Sequence, residues 1–160
     1  MLFILQSSDK VHFQVDKEVL QRSQLLKDMI ADIEDHDEPI PISNVNAIVL
    51  AKVVEYCKHH RSDPEHSPMD DISCIRKRTD NISEWDLKFM KVDTDVVFGL
   101  ALAANYLDIK PLLDLTCKTI ANMIKGKTSE QIRAEFDLVD DLMPEEKKAI
   151  EAETAWAAGR

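Results

Sequence analysis

The sequence has few glycines, few cysteines and fewer basic than acidic residues, and each of these features excludes a class of function. The 160 residues include only three glycines, too far apart for a dinucleotide-binding fingerprint or a nucleophile elbow. The three cysteines are widely spaced and form neither a disulfide framework nor a zinc-ligand pair. Unpaired cysteines are typical of a reducing compartment, so we expect a protein of the cytoplasm and nucleus.

Acidic residues outnumber basic ones and give the chain a formal net charge of -10. A surface this acidic repels nucleic acids and anionic membranes, so neither is expected as a partner. The longest apolar run, Val96 to Ala104, has nine residues, whereas a membrane span needs about 20. The first residues also lack the basic region and apolar stretch of a signal peptide. Because 44% of the residues are hydrophobic, we expect a soluble protein with a real core.

Short β-rich segments followed by segments of helical periodicity predict an α+β fold. Leu2–Gln6 and Val11–Val15 flank a polar turn and predict a β-hairpin. Pro39–Ile42 predicts a strand at a sheet edge, because proline has no N–H to donate to a neighbouring strand. Periodicity and capping residues predict helices over residues 16–23, about 25–33, 46–59, 83 onwards, 96–107, 109–125, 128 onwards and 144–158.

Two of these helices and the segment between them carry more specific expectations. Residues 96–107 are apolar all round, which predicts a buried central helix. Residues 61–82 show little periodicity and predict a mobile loop. In the helix over residues 46–59, the apolar stripe consists of Ile48, Val49, Val53, Val54 and Cys57.

The helix predicted over residues 109–125 has more apolar surface than a one-sided helix needs. At 100° per residue, a stripe about 80° wide consists of Ile109, Leu113, Cys117, Ile120 and Ile124. An adjoining stripe, which widens the apolar arc to about 200°, consists of Leu112, Leu115 and Met123. Either this helix is wedged deep in its own core, or one stripe faces the core and the other binds a partner. The pattern leaves both interpretations open.

Two motifs resemble reactive sites but are better explained as helix ends. Residues 121–128 match a loose phosphate-binding loop around Lys127, yet they continue a periodic helix instead of following a strand. Gly126 and Thr128 instead end one helix and cap the next. His59 and His60 are adjacent, so their side chains diverge, and no second ligand pair stands at zinc spacing. We expect no catalytic residue, cofactor or metal; a nucleotide hydrolase using Lys127 is the competing hypothesis.

The run from Leu102 to Thr128 resembles the most characteristic segment of the S-phase kinase-associated (SKP) adaptor family. Members of this family are small subunits of the BTB/POZ superfamily that link F-box proteins to a cullin in SCF ubiquitin ligases. The resemblance continues, in order along the chain, through Leu5–Asp9, Pro39–Asn46, Cys57–His60, Glu84–Asp86 and Phe89–Asp93.

The resemblance implies a non-catalytic adaptor rather than an enzyme. It implies a BTB/POZ-type, cullin-binding domain over residues 1–107, with its loop at about 61–82, and a helical F-box-binding region over residues 108–160. Asn105 and Tyr106 match the cullin-facing positions. The positions that match the F-box-facing side are Phe98, Leu113, Cys117, Ile120, Ile124 and Trp156. RING protein and ubiquitin-conjugating enzyme are then indirect partners, and without an F-box partner the exposed stripe predicts a homodimer.

Plain structural roles compete with several of these assignments. Asn105 is also suited to a local backbone hydrogen bond, Tyr106 to a half-buried aromatic position, and Cys117 to the role of a small hydrophobe. Pro144 matches a site that is hydroxylated and then glycosylated in some protist relatives. Departures from the family pattern, which leave the F-box repertoire open, occur at Gly99, Asp137–Asp141 and Trp156–Arg160. A divergent paralogue that serves F-box proteins outside any ligase is the alternative function.

Overall fold

The computed structural model describes residues 1–33, 38–65 and 81–157. The chain forms two compact units, Met1–Lys125 and Gly126–Arg160, which are described separately below. The first unit thus extends past Leu107. The division predicted there separates a cullin-binding from an F-box-binding region, and it stays a prediction. Most of the predicted loop, residues 66–80, lies outside the described residues, as does Cys74.

The first unit contains a three-stranded sheet with the strand order β2-β1-β3. Strand β1 (Leu2–Ser7) pairs antiparallel with β2 (His12–Asp16) and parallel with β3 (Ile40–Ile42). The predicted hairpin and the predicted edge strand are therefore confirmed. Alternate residues of β1 point into the core, where Phe3 and Leu5 are buried.

Six helices follow or surround this sheet in the described part of the first unit. They are α1 (Lys17–Leu20), α2 (Gln24–Asp32), α3 (Ala47–His59), α4 (Glu84–Phe89), α5 (Thr94–Tyr106) and α6 (Lys110–Ile124). Side chains cap several of them: Asn46 accepts from the N–H of Val49 at α3, and Ser83 from that of Asp86 at α4. A small sheet with segregated helices confirms the α+β class.

The helix predicted over residues 16–23 is wrong at its end. Helix α1 stops at Leu20, and Ser23 is instead the N-cap of α2, with an extended backbone at φ -100° and ψ 124°. Its hydroxyl accepts from the N–H of Leu26 and donates to the carbonyl of Leu107. A helix cannot pass through an extended residue, so the chain bends between α1 and α2.

The apolar pattern of α3 and α5 overstates how much of each helix is buried. In α3 the core residues include Leu50 and Tyr56, whereas Ile48 from the predicted stripe is 67% exposed. In α5, Leu100 and Ala104 are fully buried, but Leu102 is 73% exposed. The prediction that residues 96–107 are buried on all sides is therefore wrong, since one face of α5 is open to solvent.

Helices α3 and α5 approach each other closely at Gly99. A Cβ atom added at this glycine would lie 2.8 Å from Cγ2 of Val49, well inside van der Waals contact. The missing side chain therefore allows the two helices to pack at this point, which explains why a helix interior tolerates a glycine.

The second unit contains α7 (Ser129–Glu135) and α8 (Pro144–Thr154) among its described residues. Gly126 ends the preceding helix as predicted, with a left-handed backbone at φ +74°. Thr128 is the predicted N-cap of α7, and it forms a capping box with Gln131. Helix α8 ends at Thr154, before the predicted end near residue 158. In the described part of the chain no helix has the length and apolar character of a membrane span.

Candidate protein-interaction surfaces

Helix α6 uses one face to join the core of the first unit. Leu112, Leu115 and Thr116 are buried on that face. The hydroxyl of Thr116 donates to the carbonyl of Leu113 at 2.8 Å, which satisfies its polar atom without water. The apolar pattern missed Thr116 because threonine is not counted among the hydrophobic residues. Its hydroxyl is bonded within its own helix, however, so the side chain can be buried among apolar neighbours.

The predicted partner-facing stripe of α6 is only partly covered. We name Leu113, Cys117, Ile120 and Ile124 the outer stripe; the fifth member of the predicted set, Ile109, is buried in the core. Leu113 and Ile120 are partly buried, whereas Cys117 is exposed and Ile124 is 38% exposed. Apolar surface of α6 thus remains outside its own core, which argues against a helix enclosed on every side.

A second apolar face lies on α5. Phe98, Leu102 and Tyr106 recur at intervals of four residues and are all exposed, so they share one side of the helix. Asn105 is also exposed, and its side chain makes no hydrogen bond with any residue that the structure describes. The local backbone contact considered for Asn105 is therefore not formed. Leu102 was missed as a surface residue because its neighbours in sequence are apolar.

The last two predicted residues belong to the second unit. Trp156 follows α8 and is 75% exposed, which is rare for so large an aromatic side chain. Pro144 is the first residue of α8 and is also exposed. Proline suits this position because its missing N–H has no partner in the first turn. The predicted F-box-facing set is thus divided between the two units.

The phosphate-loop interpretation is wrong. Residues 121–124 are the last turn of α6 rather than the end of a strand, and the backbone continues into the helix-ending Gly126. The Lys127 ammonium donates to a carboxylate oxygen of Glu135 within the same unit. A phosphate would need free backbone N–H groups here, and the capping box already engages those of Thr128 and Gln131.

No cluster of three metal-ligating side chains occurs in the residues that the structure describes. His59 stacks on Trp85, with ring centroids 3.7 Å apart, while His60 contacts two carboxylates. Of the cysteines, Cys57 is enclosed by the core, and burial raises the pKa of its thiol to about 12. A thiol held protonated in this way is a poor nucleophile and a poor metal ligand.

Comparison with known proteins identifies the family. Residues 1–62 match the model of the Skp1 family tetramerisation domain, and residues 110–157 match that of the Skp1 family dimerisation domain. A relative from Arthroderma otae is 53% identical over 98% of this chain and 94% of its own length. The chain belongs to the Skp1 family.

Other Skp1-family relatives are similarly close. The Arthroderma otae protein is named "E3 ubiquitin ligase complex SCF subunit sconC". The protein of that name from Talaromyces marneffei is 51% identical over 98% of this chain and 96% of its own length. A Dictyostelium discoideum protein, "SCF ubiquitin ligase complex protein SKP1a", is 50% identical over 95% of this chain and 93% of its own length.

Proposed function

We propose that this Skp1-family chain is the non-catalytic adaptor subunit of an SCF ubiquitin ligase. It bridges F-box substrate receptors to a cullin in ubiquitin-dependent protein degradation. The names of its relatives, all subunits of SCF complexes, support this role. The structural observation that carries it is the outer stripe of α6, whose apolar side chains the chain itself covers only in part.

The proposed mechanism is positional and requires no reactive group. An F-box protein holds the substrate, and the cullin holds a RING protein and its ubiquitin-conjugating enzyme, so both are indirect partners. Binding both in one complex raises the effective concentration of substrate near the conjugating enzyme. A bridging subunit needs two surfaces, and we assign the end of α5 to the cullin and the outer stripe of α6 to the F-box.

For the F-box we propose the outer stripe of α6 and Phe98 in the first unit and, separately, Trp156 in the second unit. Leu113 and Ile120 already lie against the core, so they would form the base of the contact, with Cys117 and Ile124 at its centre. A large exposed aromatic such as Trp156 is the kind of anchor that dominates binding energy at protein interfaces. Affinity would come mainly from burial of this apolar area.

For the cullin we propose the end of α5, with Asn105 and Tyr106 as the first contacts. Tyr106 is 38% exposed and offers both ring surface and a hydroxyl, which suits an interface that is partly polar. The amide of Asn105, which no described residue engages, has both donors and an acceptor to offer a partner. Leu102, four residues before Tyr106 on the same side of α5, would be covered on binding.

Substitutions on the two surfaces test the assignment in a single pull-down design. We expect Ile124→Glu to abolish capture of an F-box domain while the chain still captures a cullin amino-terminal domain. Tyr106→Lys and Asn105→Lys are expected to have the reverse effect. Lys125→Ala, an exposed polar neighbour of Ile124, is the control and should retain both partners. Loss of both partners from either variant would contradict separate surfaces, and F-box capture without any cullin capture by the wild type would favour a role outside the ligase.

Without an F-box partner we propose that the chain forms a homodimer. The family model over residues 110–157 is named for dimerisation, and this region contains the outer stripe. Sedimentation over a range of concentrations should show a monomer–dimer equilibrium that an F-box peptide reverses. A strict monomer at high concentration, or a dimer that survives saturation with the peptide, would contradict this proposal.

Two further proposals concern the cell rather than the complex. We propose a cytoplasmic and nuclear location, since Cys117 is exposed and unpaired, as in a reducing compartment. Imaging of the tagged chain tests this location.

We also propose hydroxylation of Pro144, which is exposed at the start of α8. Mass spectrometry of the protein from its native source should find a gain of one oxygen at this residue.

A further inference from the structure

The end of α3 and the start of α4 are joined through one histidine. His60 is the C-cap residue of α3, and its side chain is 15% exposed. Its Nδ1 lies 2.5 Å from a carboxylate oxygen of Asp63, and its Nε2 lies 2.9 Å from a carboxylate oxygen of Asp86. The second contact spans 26 positions of sequence, so it connects two helices that are far apart along the chain.

The number of ring protons decides whether both contacts are favourable. A neutral imidazole carries one N–H, so it donates to one carboxylate and turns a nitrogen lone pair towards the other. An imidazolium carries two N–H groups and donates to both carboxylates. Charge-assisted hydrogen bonds of this kind are about twice as strong as neutral ones. The position of His60 at the carbonyl end of a helix also favours the cation.

The surroundings of His60 hold the two carboxylates in place. Ser83 donates from its hydroxyl to Asp86 at 2.8 Å, and Arg22 donates to the backbone carbonyl of Asp63 at 2.8 Å. Aromatic rings cover the imidazole. The titratable, charged and aromatic groups around it are Asp63, Asp86, Arg22, Tyr56 at 4.3 Å between centroids, His59 at 4.9 Å and Trp85 at 5.5 Å. Burial raises the pKa of Tyr56, and the nearby carboxylates of Asp86 and Asp63 raise it further.

From this geometry we propose that protonation of His60 closes a clasp between α3 and α4. When the ring carries both protons, the clasp made by His60, Asp63 and Asp86 is complete. When one proton is lost, a contact to a carboxylate becomes repulsive, and α4 is held only by its remaining packing. The stacked rings of Trp85 and Phe89 on α4 would then be free to loosen from Tyr56 and His59.

The pH dependence of the clasp follows from its proton count. The clasp is complete only while the ring carries both protons and the two carboxylates carry none. It opens when the ring loses a proton as the pH rises, and it opens again in acid when the carboxylates are neutralised. The clasp is thus a device by which pH controls local opening at the start of α4.

Nitrogen-15 NMR of the histidine rings in the full chain tests the clasp. When the His60 ring carries both protons, we expect each ring N–H to show a proton resonance shifted downfield by its hydrogen bond to a carboxylate. In Asp86→Asn the resonance of the Nε2 proton should move upfield, and in Asp63→Asn that of the Nδ1 proton, because each loses its charged acceptor. His12 on β2, whose ring contacts Gln6, is the control and should keep its ring spectrum in both variants.

Hydrogen exchange supplies a second measurement that does not depend on folding of the variants. In the wild type, amide exchange in α4 should become faster, after correction for intrinsic rates, as His60 loses its proton, while exchange in the core of α3 is unchanged. Ring-proton resonances of His60 that stay in place in both asparagine variants would overturn the proposal. A wild-type α4 whose protection is independent of pH across the titration would overturn it as well.

Discussion

The close contact between Gly99 and Val49 makes a quantitative test of the fold. In Gly99→Ala, the new methyl group gains helix propensity worth about 1 kcal/mol. It also meets Cγ2 of Val49 at 2.8 Å, and overpacking of this kind costs about 1–3 kcal/mol. Val49 cannot easily rotate away, because a β-branched side chain in a helix has one strongly preferred rotamer. The net expectation is a loss of about 0–2 kcal/mol in the free energy of unfolding.

Removing the obstructing side chain should reverse the sign of this effect. In a Val49→Ala background the added methyl group has room, so Gly99→Ala should stabilise the chain by about 1 kcal/mol. The double-mutant cycle should therefore give a coupling energy of about 1–3 kcal/mol, equal to the overpacking that is relieved. Urea denaturation followed by circular dichroism measures all four free energies.

The size of this coupling energy tests whether α3 and α5 approach each other closely at Gly99. Independent sites add within about 0.5 kcal/mol, so a coupling below that value would refute the close approach of α3 and α5. It would also remove the explanation of Gly99 as a packing residue. A coupling of the expected size, with binding of F-box and cullin domains unchanged, would show that Gly99 acts through the fold alone.

Four further predictions concern stability. Leu112→Ala on the buried face of α6 should lower the free energy of unfolding by about 2–5 kcal/mol, measured by urea denaturation. A polar substitution at exposed Cys117 should lower it by less than about 0.5 kcal/mol. Ser23→Ala removes the α2 cap and its bond to a buried carbonyl, with a loss of about 1–3 kcal/mol in the same assay. Asp137 has φ +52° after α7, so Asp137→Gly should gain about 1 kcal/mol in thermal melts. Burial raises the pKa of Cys57 from 9.0 to about 12, so the native state holds the thiol proton more tightly than the unfolded state. The free energy of unfolding should therefore fall as the pH rises above 9, and Cys57→Ala should flatten that decline.

Sequence periodicity and capping chemistry were enough to predict most elements of the fold. The hairpin, the edge strand and the starts of α3, α4 and α7 depend on local rules, such as Asn46, Ser83 and Thr128 as N-caps. The end of α1 was missed because Ser23 caps the following helix, which only the path of the chain decides. Burial was the least predictable property.

Exposure of an apolar residue depends on which elements pack above it, and periodicity does not contain this information. Ile48 and Leu102 belong to apolar patterns but lie on open faces. Thr116 is polar yet fully buried. For the outer stripe, the angular arrangement predicted which residues share a face, whereas the structure was needed to distinguish buried Ile109 from exposed Cys117 and Ile124. The contacts of His60 connect distant segments and have no signature in the local sequence.

The most direct test of the adaptor role is the mass of the complex formed with both partners at once. An F-box domain, a cullin amino-terminal domain and this chain should be mixed and analysed by size exclusion with light scattering. We predict one particle with the summed mass of one copy of each, and no complex between the F-box and cullin domains when the chain is left out. Binary complexes that exclude each other, with no ternary particle at any concentration, would contradict the bridging function.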